Sequence, residues 1–314
     1  MRVKRRIIFI VILTLLTLFS VCTYSGNVDN PVVDLFSHFL VQYVVAFLLI
    51  SIFCIIKRDF LLSLISLVLF LINLFFILNF NLGAAHASLG HYNVLRLYSA
   101  NIHYGNKDLT RLMNDIRTKR PDLVVLIEVR QRHIDELTPV IREYGYILKD
   151  PKIDASNMGV VFLSSYPIVD YDIINLSDCG NSVIRARLKI NGKEIIFYGV
   201  HLPRIGPDRN FQVRQRIFIR LASEIAKESL PVIVAGDFNA TPYSPIFRKF
   251  VDISKLVDSS KDYGWLPTWP TFFPPLWIPI DHILTSSDVH IINIERGSFI
   301  FSDHYPLVAS FFLK

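Results

Sequence analysis

One segment, Val232-Ile-Val-Ala-Gly-Asp-Phe-Asn-Ala240, joins a short apolar run to an abrupt polar ending. The apolar run predicts a buried strand, and the Gly-Asp-Phe-Asn ending delivers polar side chains to the rim of that strand. Because side chains alternate in an extended chain, Asp237 and Asn239 face one side and Phe238 faces the other. One polar group can accept a proton from water while the other holds that water. This pattern is typical of a hydrolytic site, and a turn capped by an Asp is the alternative interpretation.

The N-terminal quarter of the chain is much more apolar than the rest. The 314 residues have a mean hydropathy of +0.40 and are 52% hydrophobic, which indicates a membrane-embedded fraction. Nearly uncharged runs lie at about residues 7–23, 35–56 and 60–80, and a transmembrane helix needs ~20 apolar residues. The first run is short enough for a signal peptide, but no small-x-small cleavage site follows it. We therefore predict a membrane anchor of three transmembrane helices over residues 1–80.

Positively charged residues predict how this anchor crosses the cell membrane. Cytoplasmic loops retain Lys and Arg, which here precede the first run and separate the second run from the third. These residues are Arg2, Lys4, Arg5, Arg6, Lys57 and Arg58. Residues 24–34 carry neither Lys nor Arg. The prediction is a cytoplasmic N-terminus and, after three spans, an extracytoplasmic C-terminal part; if the first run did not insert, that part would lie in the cytoplasm.

The chain beyond the anchor has room for a linker and one large domain. Residues 81–92 are small and weakly polar, which predicts a linker, and residues 93–314 suffice for a well-buried core. Apolar strands alternate there with amphipathic stretches such as 211–228, which predicts an α/β domain. Cys179 is the only cysteine after the anchor, so no disulfide framework is expected. The net charge of +6 owes much to the anchor flanks, so it does not imply a nucleic-acid partner, and no obligate protein partner is evident.

Six short pieces of this domain place a polar residue at or just past the end of an apolar strand. They carry Asn101, Glu128, His201, Asp237 with Asn239, Asp281, and Asp303 with His304. Together and in this order they resemble the endonuclease/exonuclease/phosphatase superfamily over residues 93–314, most specifically through Gly-Asp-Phe-Asn and Ser-Asp-His. The resemblance implies a four-layered α/β sandwich, in which two packed mixed β-sheets are flanked by helices and a divalent-metal site lies at one edge.

The same resemblance implies a set of metal ligands. Glu128 is expected as the first ligand, and a carboxylate at a strand edge suits Mg²⁺, which takes oxygen donors and keeps several waters. Asn101, through its amide oxygen or a bound water, and Asp303 are expected to complete that neighbourhood. The cofactor is therefore expected to be Mg²⁺, with Mn²⁺ as the alternative.

The remaining motif residues are expected to carry the proton transfers of phosphoester hydrolysis. Asp237 would orient or deprotonate the attacking water, and Asn239 would donate a hydrogen bond to water or phosphate. Asp281 would fix the tautomer of His304 and raise its basicity. His201 would act from the opposite flank, as a proton donor to the leaving group or to the phosphoryl oxygens. The sequence does not decide which histidine is the base and which is the acid.

Substrate-binding candidates are less distinctive. The candidates are Arg185 and Arg204. For each of them, a role in clamping phosphate and an ordinary exposed position are equally favoured interpretations. The segment 265–279 holds all three Trp of the chain in a Pro-rich loop that should border the site. Such a loop can rest at a lipid interface, stack on nucleic-acid bases, or simply close the sandwich.

The sequence as a whole predicts a membrane-anchored, divalent-metal-dependent phosphohydrolase. A phosphodiester is the favoured substrate class, and a phospholipid-like molecule is favoured over nucleic acid because of the anchor. An extracytoplasmic metal-dependent nuclease is the first alternative. A catalytically inactive interaction module is the second, because a fold does not fix a function.

Overall fold

The computed structural model describes residues 2–81, 93–154, 157–176, 182–206 and 210–314. The predicted linker, apart from its first residue, and Cys179 lie outside the described residues.

Four helices form the N-terminal part: α1 (Arg2–Tyr24), α2 (Pro31–Ser37), α3 (Leu40–Ile56) and α4 (Phe60–Asn81). Helices α1 and α4 are each long and apolar enough to cross a membrane. Helices α2 and α3 together give a third candidate span, but they meet at an angle of 64°. The second predicted span is therefore interrupted, since residues 38 and 39 separate the two helices. Helix α2 is a separate element with its own N-cap, the side chain of Asn30, which accepts hydrogen bonds from the first turn.

Two six-stranded mixed sheets form the C-terminal domain. The first contains, in spatial order, β11 (Val289–Arg296), β12 (Leu307–Leu313), β1 (Leu95–Asn101), β2 (Leu123–Val129), β4 (Gly159–Ser164) and β3 (Tyr146–Lys149). The second contains β5 (Ile168–Asn175), β6 (Ser182–Ile190), β7 (Lys193–His201), β8 (Val232–Asp237), β10 (Asp281–Thr285) and β9 (Val257–Asp258). Within each sheet one pair is parallel, β1 with β2 and β7 with β8, and the other pairs are antiparallel.

The main core lies between the two sheets, where the rings of Phe162 and Phe197 stack with centroids 4.3 Å apart. The outer faces are covered by helices. Helices α5 (Thr110–Lys119) and α6 (Gln131–Ile141) cover the first sheet, and α7 (Phe211–Ile225) and α8 (Pro245–Ser254) cover the second. The predicted four-layered α/β sandwich is thereby confirmed.

Strand register brings the polar strand ends together at one edge of the sandwich. His201 pairs with Asp237 across the parallel strands β7 and β8, and Asp281 pairs with Asp237 across the antiparallel strands β10 and β8. Gly236 makes this close pairing possible: its φ is +145°, and a Cβ there would lie 2.0 Å from the carbonyl oxygen of Val200. No larger residue fits at that point. The glycine before Asp237 is thus a requirement of the strand pairing that builds the site.

Candidate active site

The centre of the site is a buried carboxylate, Asp237, at the end of β8. Its Oδ2 accepts a hydrogen bond from Asn101 Nδ2 at 3.0 Å. The same oxygen lies 3.9 Å from His201 Nε2 and 3.9 Å from His304 Nε2. Its Oδ1 accepts a hydrogen bond from the backbone N–H of Asn239 at 2.8 Å. The structure therefore brings four of the predicted site residues around the carboxylate of a fifth, Asp237.

His304 and Asp281 form a buried pair beside this carboxylate. His304 Nδ1 lies 2.8 Å from Asp281 Oδ2, as the expected role of Asp281 requires. Burial opposes protonation of the ring, but the charges of Asp281, Asp237 and Asp303 outweigh burial and raise the pKa of His304 to about 10. The neighbouring carboxylates therefore favour the protonated form of His304 when no cation is bound, with Nδ1 next to Asp281 and Nε2 turned toward Asp237.

A serine ties the loop of His304 to the first sheet. The backbone N–H of His304 donates to Ser302 Oγ at 3.1 Å, and Ser302 Oγ–H donates to the carbonyl oxygen of Asn101 at 2.7 Å. The site thus combines loops and strand ends from both sheets. Sequence reasoning did not single out Ser302, although its place in the Ser-Asp-His motif is a usable signal.

Asn101 links two carboxylates through its amide nitrogen. Besides Asp237, Nδ2 donates to Glu128 Oε1 at 3.2 Å, while Oδ1 accepts from the backbone N–H of His103 at 3.0 Å. Asn101 therefore holds Glu128 and Asp237 at a fixed separation. The expectation that Asn101 reaches a metal through its amide oxygen or a bound water stays a prediction, because Oδ1 accepts one backbone hydrogen bond and keeps a second lone pair.

Glu128 enters the site from an irregular point of β2. Its φ is +62°, and the pairing of β2 with β4 shifts register between Leu126 and Val129. Such strained backbone is typical of functional positions. Its Oε2 accepts from the backbone N–H of Tyr104 at 3.0 Å, and its Oε1 lies 3.8 Å from His201 Nε2. Burial would raise the pKa of Glu128, but His201 and these hydrogen bonds outweigh burial and lower the pKa.

Asn239 adopts a left-handed conformation with a φ of +48°. Its Nδ2 donates to the carbonyl oxygen of Leu202 at 3.0 Å, which joins the loop after β8 to the loop after β7. In this structure its amide nitrogen therefore donates its hydrogen bond to a backbone group. Asn239 remains half-buried at the edge of the cluster.

A family model described as "Endonuclease/Exonuclease/phosphatase family" matches residues 91–304. This chain belongs to that family. The family consists of divalent-metal-dependent phosphoric ester hydrolases, and this chain is a phosphoric ester hydrolase. No curated protein sequence matches the chain.

Solved structures share the fold of this hydrolase at low sequence identity. An endonuclease/exonuclease/phosphatase from Bacteroides vulgatus is 22% identical, covers 71% of this chain and 100% of its own, and has a TM-score of 0.60. The mannosyl-6-phosphatase of Bacteroides thetaiotaomicron is 18% identical, covers 69% and 99%, and has a TM-score of 0.58. TDP2 of D. rerio, in complex with a single-strand DNA product, is 16% identical, covers 69% and 98%, and has a TM-score of 0.57.

The side chains of the candidate site fit a divalent cation. Asp237, Asp281 and His304 each offer a ligand atom within 4.8 Å of the others. Two buried carboxylate oxygens, Asp281 Oδ1 and Asp303 Oδ1, accept no hydrogen bond from the described residues. Burial, and then the charge of Asp281, raise the pKa of Asp237 to about 8. Buried carboxylates this close together are unfavourable without a cation, and a set dominated by oxygen donors suits Mg²⁺ or Mn²⁺.

Asp303 connects the cluster to the Trp-containing loop. Its Oδ2 accepts a hydrogen bond from Trp269 Nε1 at 3.2 Å, and its carbonyl oxygen accepts from the backbone N–H of Thr271 at 2.9 Å. The loop therefore borders the site, as its sequence position predicts. The second oxygen of Asp303 stays available for a ligand.

The two predicted substrate arginines are not part of the cluster. Arg185 forms a two-pronged ion pair with Glu228, at 2.7 and 3.1 Å, and Glu228 also accepts from Tyr198 Oη at 2.6 Å. The side chain of Arg185 therefore lies on the helix-covered face of the second sheet. Arg204 is exposed and makes no hydrogen bond or ion pair with the clustered side chains among the described residues.

Replacing Asp281 by Asn tests the role of the buried pair. The amide keeps the shape but removes the charge, so we expect the pKa of His304 to fall and kcat to fall by ~100-fold or more. The pKa is measured from the imidazole NMR signals across a pH series, and kcat with a soluble aryl phosphodiester. Glu295→Gln, on a partly exposed ion pair with Lys119, should change neither quantity. An unchanged pKa in Asp281→Asn would contradict this account of the pair.

Proposed function

We propose that this chain is a membrane-anchored, divalent-metal-dependent phosphodiesterase that cleaves its substrate by in-line attack of an activated water. The observation that carries the proposal is the convergence of Asn101, His201 and His304 on one oxygen of Asp237, next to Glu128. Glu128 and Asp303 would hold the cation, with Asn101 bridging Glu128 to Asp237. When bound, the cation supplies a Lewis acid that neutralises charge on the phosphoryl oxygens.

The protein's own groups then divide the proton transfers. With a cation bound, Asp237 would be ionised; it is held in one orientation by its donors and accepts the proton of the attacking water. His304 is charged, is fixed by Asp281, and donates from Nε2 to a phosphoryl oxygen in the transition state. His201 lies at the rim with about one fifth of its side chain exposed, where it can protonate the leaving oxygen and exchange protons with solvent.

An apolar loop tip beside the site favours a lipid-like substrate. The side chains of Phe272, Phe273 and Leu276 are 75%, 47% and 41% exposed, which is unusual for such large apolar groups. The loop is joined to the site through Trp269 and Asp303, as described above. It is also joined to the membrane anchor, because Gln42 Nε2 at the start of α3 donates to the carbonyl oxygen of Trp277 at 2.8 Å. This position supports contact between the tip and the bilayer surface.

Nucleic acid is the runner-up substrate within the same chemistry. It is supported by the fold shared with TDP2 of D. rerio, which was solved with a single-strand DNA product. A phosphomonoester is supported in the same way by the mannosyl-6-phosphatase of Bacteroides thetaiotaomicron. The exposed apolar tip and the anchor favour the lipid-like substrate over both.

The catalytic domain is proposed to lie on the extracytoplasmic side of the cell membrane. Arg6 at the start of α1 pairs with Asp59 at 3.0 Å, so the basic N-terminus and the basic α3–α4 connection lie on one side. The α1–α2 connection lies at the other end of these helices and contacts the domain, where Arg248 Nη2 donates to the carbonyl oxygen of Ser25 at 2.6 Å. Since basic connections are retained in the cytoplasm, the domain would face outward.

Hydrolysis of a substrate panel tests the proposed activity. The full chain in lipid nanodiscs is assayed on bis(p-nitrophenyl) phosphate, p-nitrophenyl phosphate, supercoiled plasmid and phospholipid, with Mg²⁺, Mn²⁺ or EDTA. We expect turnover of a phosphodiester with either cation, none with EDTA, and a loss of ~100-fold or more in Glu128→Gln and His304→Gln. Glu224→Gln, an exposed surface change, should be fully active. A folded chain that binds metal but cleaves no member would refute the proposal, and failure to bind metal would favour the interaction module.

The double variant Phe272→Ser/Phe273→Ser tests the role of the loop tip. The exposed rings have no part in the chemistry, so we expect a several-fold lower rate on phospholipid vesicles and an unchanged rate on soluble bis(p-nitrophenyl) phosphate. Both rates are measured with the same preparation. Equal losses on the two substrates, or no loss on vesicles, would argue against a lipid-facing tip.

Cysteine labelling in intact cells tests the orientation. In a background without Cys22, Cys54 and Cys179, single cysteines replace Glu143 on the domain and Lys57 between α3 and α4. A membrane-impermeant maleimide should label Glu143→Cys in intact cells, and Lys57→Cys only after permeabilisation. The reverse pattern would place the domain in the cytoplasm.

A further inference from the structure

The anchor and the catalytic domain share a buried ion pair. Asp34, on α2, and Arg214, on α7, are 180 positions apart, yet Arg214 Nη1 donates to Asp34 Oδ2 and both side chains are 1% exposed. A flexible linker alone would be sufficient to tether the domain. Burying two charges is costly unless their geometry and further hydrogen bonds compensate. The other hydrogen bonds that Arg214 donates therefore indicate the role of this ion pair.

Arg214 also holds the backbone of two catalytic loops. Its Nε donates to the carbonyl oxygen of Pro203 at 2.8 Å, two residues after His201. Its Nη2 donates to the carbonyl oxygen of Asn239 at 3.0 Å. A single guanidinium thus joins the anchor, the loop after β7 and the loop after β8. Its planar fork fixes all three in relation to one another.

A second anchor residue holds the same loop. The backbone N–H of Thr241 donates to His38 Nδ1 at 3.2 Å, so Nδ1 is an acceptor, and Thr241 Oγ1 lies 3.0 Å from it. Between these points, His282 Nε2 lies 2.8 Å from the carbonyl oxygen of Ala240. Residues 239, 240 and 241 each have a backbone group held by a buried side chain. Two of these three restraints depend on the anchor.

This loop needs such restraints because Asn239 is left-handed. For a non-glycine residue, a backbone conformation with a φ of +48° is less stable than the ordinary helical or extended ones. Such a conformation persists where surrounding contacts hold the backbone in place. The bond from Asn239 Nδ2 to Leu202 further ties its position to the loop of His201. Release of Arg214 would therefore loosen two loops of the site together.

We propose that Asp34 of the anchor is a positioning residue for the active site: through Arg214 it holds the loops of His201 and Asn239 in their working geometry. The assignment rests on the proposed function, because that function gives His201 and Asn239 their roles. The anchor then does more than keep the domain at the membrane. Its docking completes the site, and a domain separated from α2 is less active even on a soluble substrate.

The test uses the full chain in nanodiscs and soluble bis(p-nitrophenyl) phosphate, so that access to lipid plays no part. Asp34→Asn leaves a buried cation with a weaker partner and is the variant most prone to misfold. Asp34→Leu/Arg214→Met removes both charges together, a change that often preserves stability. We expect the double variant to keep its thermal unfolding temperature within a few degrees, and its kcat to fall ~10- to 100-fold with a smaller change in KM.

Gln215→Met is the matched control. Gln215 Nε2 donates to Val28 and to Asp29 Oδ1 at 3.1 Å, so this variant loses contacts to the same anchor connection without touching either catalytic loop. Its kcat should stay within about twofold of the parent, because the hydrogen bonds that it loses reach the anchor connection and neither catalytic loop. An equal fall in Gln215→Met and in the double variant would mean that docking as such, and not positioning by Asp34, sets the rate, and it would overturn the proposal.

Backbone hydrogen exchange gives a readout that is independent of activity. Faster exchange of residues 238–241 in the double variant, and not in Gln215→Met, supports the positioning role even if the substrate is misidentified. Unchanged exchange in a folded double variant, or kcat within about twofold of the parent, would overturn it. An inactive parent chain would instead count against the proposed function, so the two failures are distinguishable.

Discussion

The arrangement depends on one electrostatic constraint, the burial of Asp237 beside Asp281 at the junction of two sheets. Carboxylates removed from water and placed side by side resist ionisation, and their charge requires donors or cations nearby. Asn101 and His304 supply the donors within the protein. The oxygens of Asp281 and Asp303 that accept no hydrogen bond within the described part of the chain supply the remaining ligand capacity. The need to compensate this charge explains why so many polar groups meet at one edge of an otherwise apolar sandwich.

The sheets bring these groups together through ordinary strand geometry and two local departures from it. Register in β7, β8 and β10 places His201 and Asp281 on either side of Asp237. Gly236 permits the close approach of β7 and β8, and the irregularity in β2 turns Glu128 toward the cluster. The apolar core fixes the strands, and the departures occur only where the chain reaches the site. Stability and catalysis are therefore served by neighbouring but different residues.

Sequence predicted the parts of this structure that have a local signal. The apolar strand before Asp237, the strand over residues 123–129 and the amphipathic helix beginning at Phe211 were recognisable from periodicity, and the layered fold followed from the ordered motifs. Strand β5 was not recognisable from periodicity, because most of its side chains are exposed and buried and exposed positions do not alternate along it. Arg185 was recognisable as a strand residue, but its partner Glu228 lies 43 positions away. The contact of Asp34 with Arg214 likewise leaves no pattern in either segment, apart from a charge at an apolar position of α7.

The 64° bend between α2 and α3 has a consequence for the proposed anchoring. Because α2 turns away from the path of α3 and its Asp34 pairs with Arg214 of α7, the catalytic domain is fixed to the helices and not only tethered to them. In the proposed anchored arrangement the active site would therefore lie at a set height above the membrane plane. A phosphoester at that height would meet the site by lateral diffusion in two dimensions, whereas one farther out would not reach it however well it fitted.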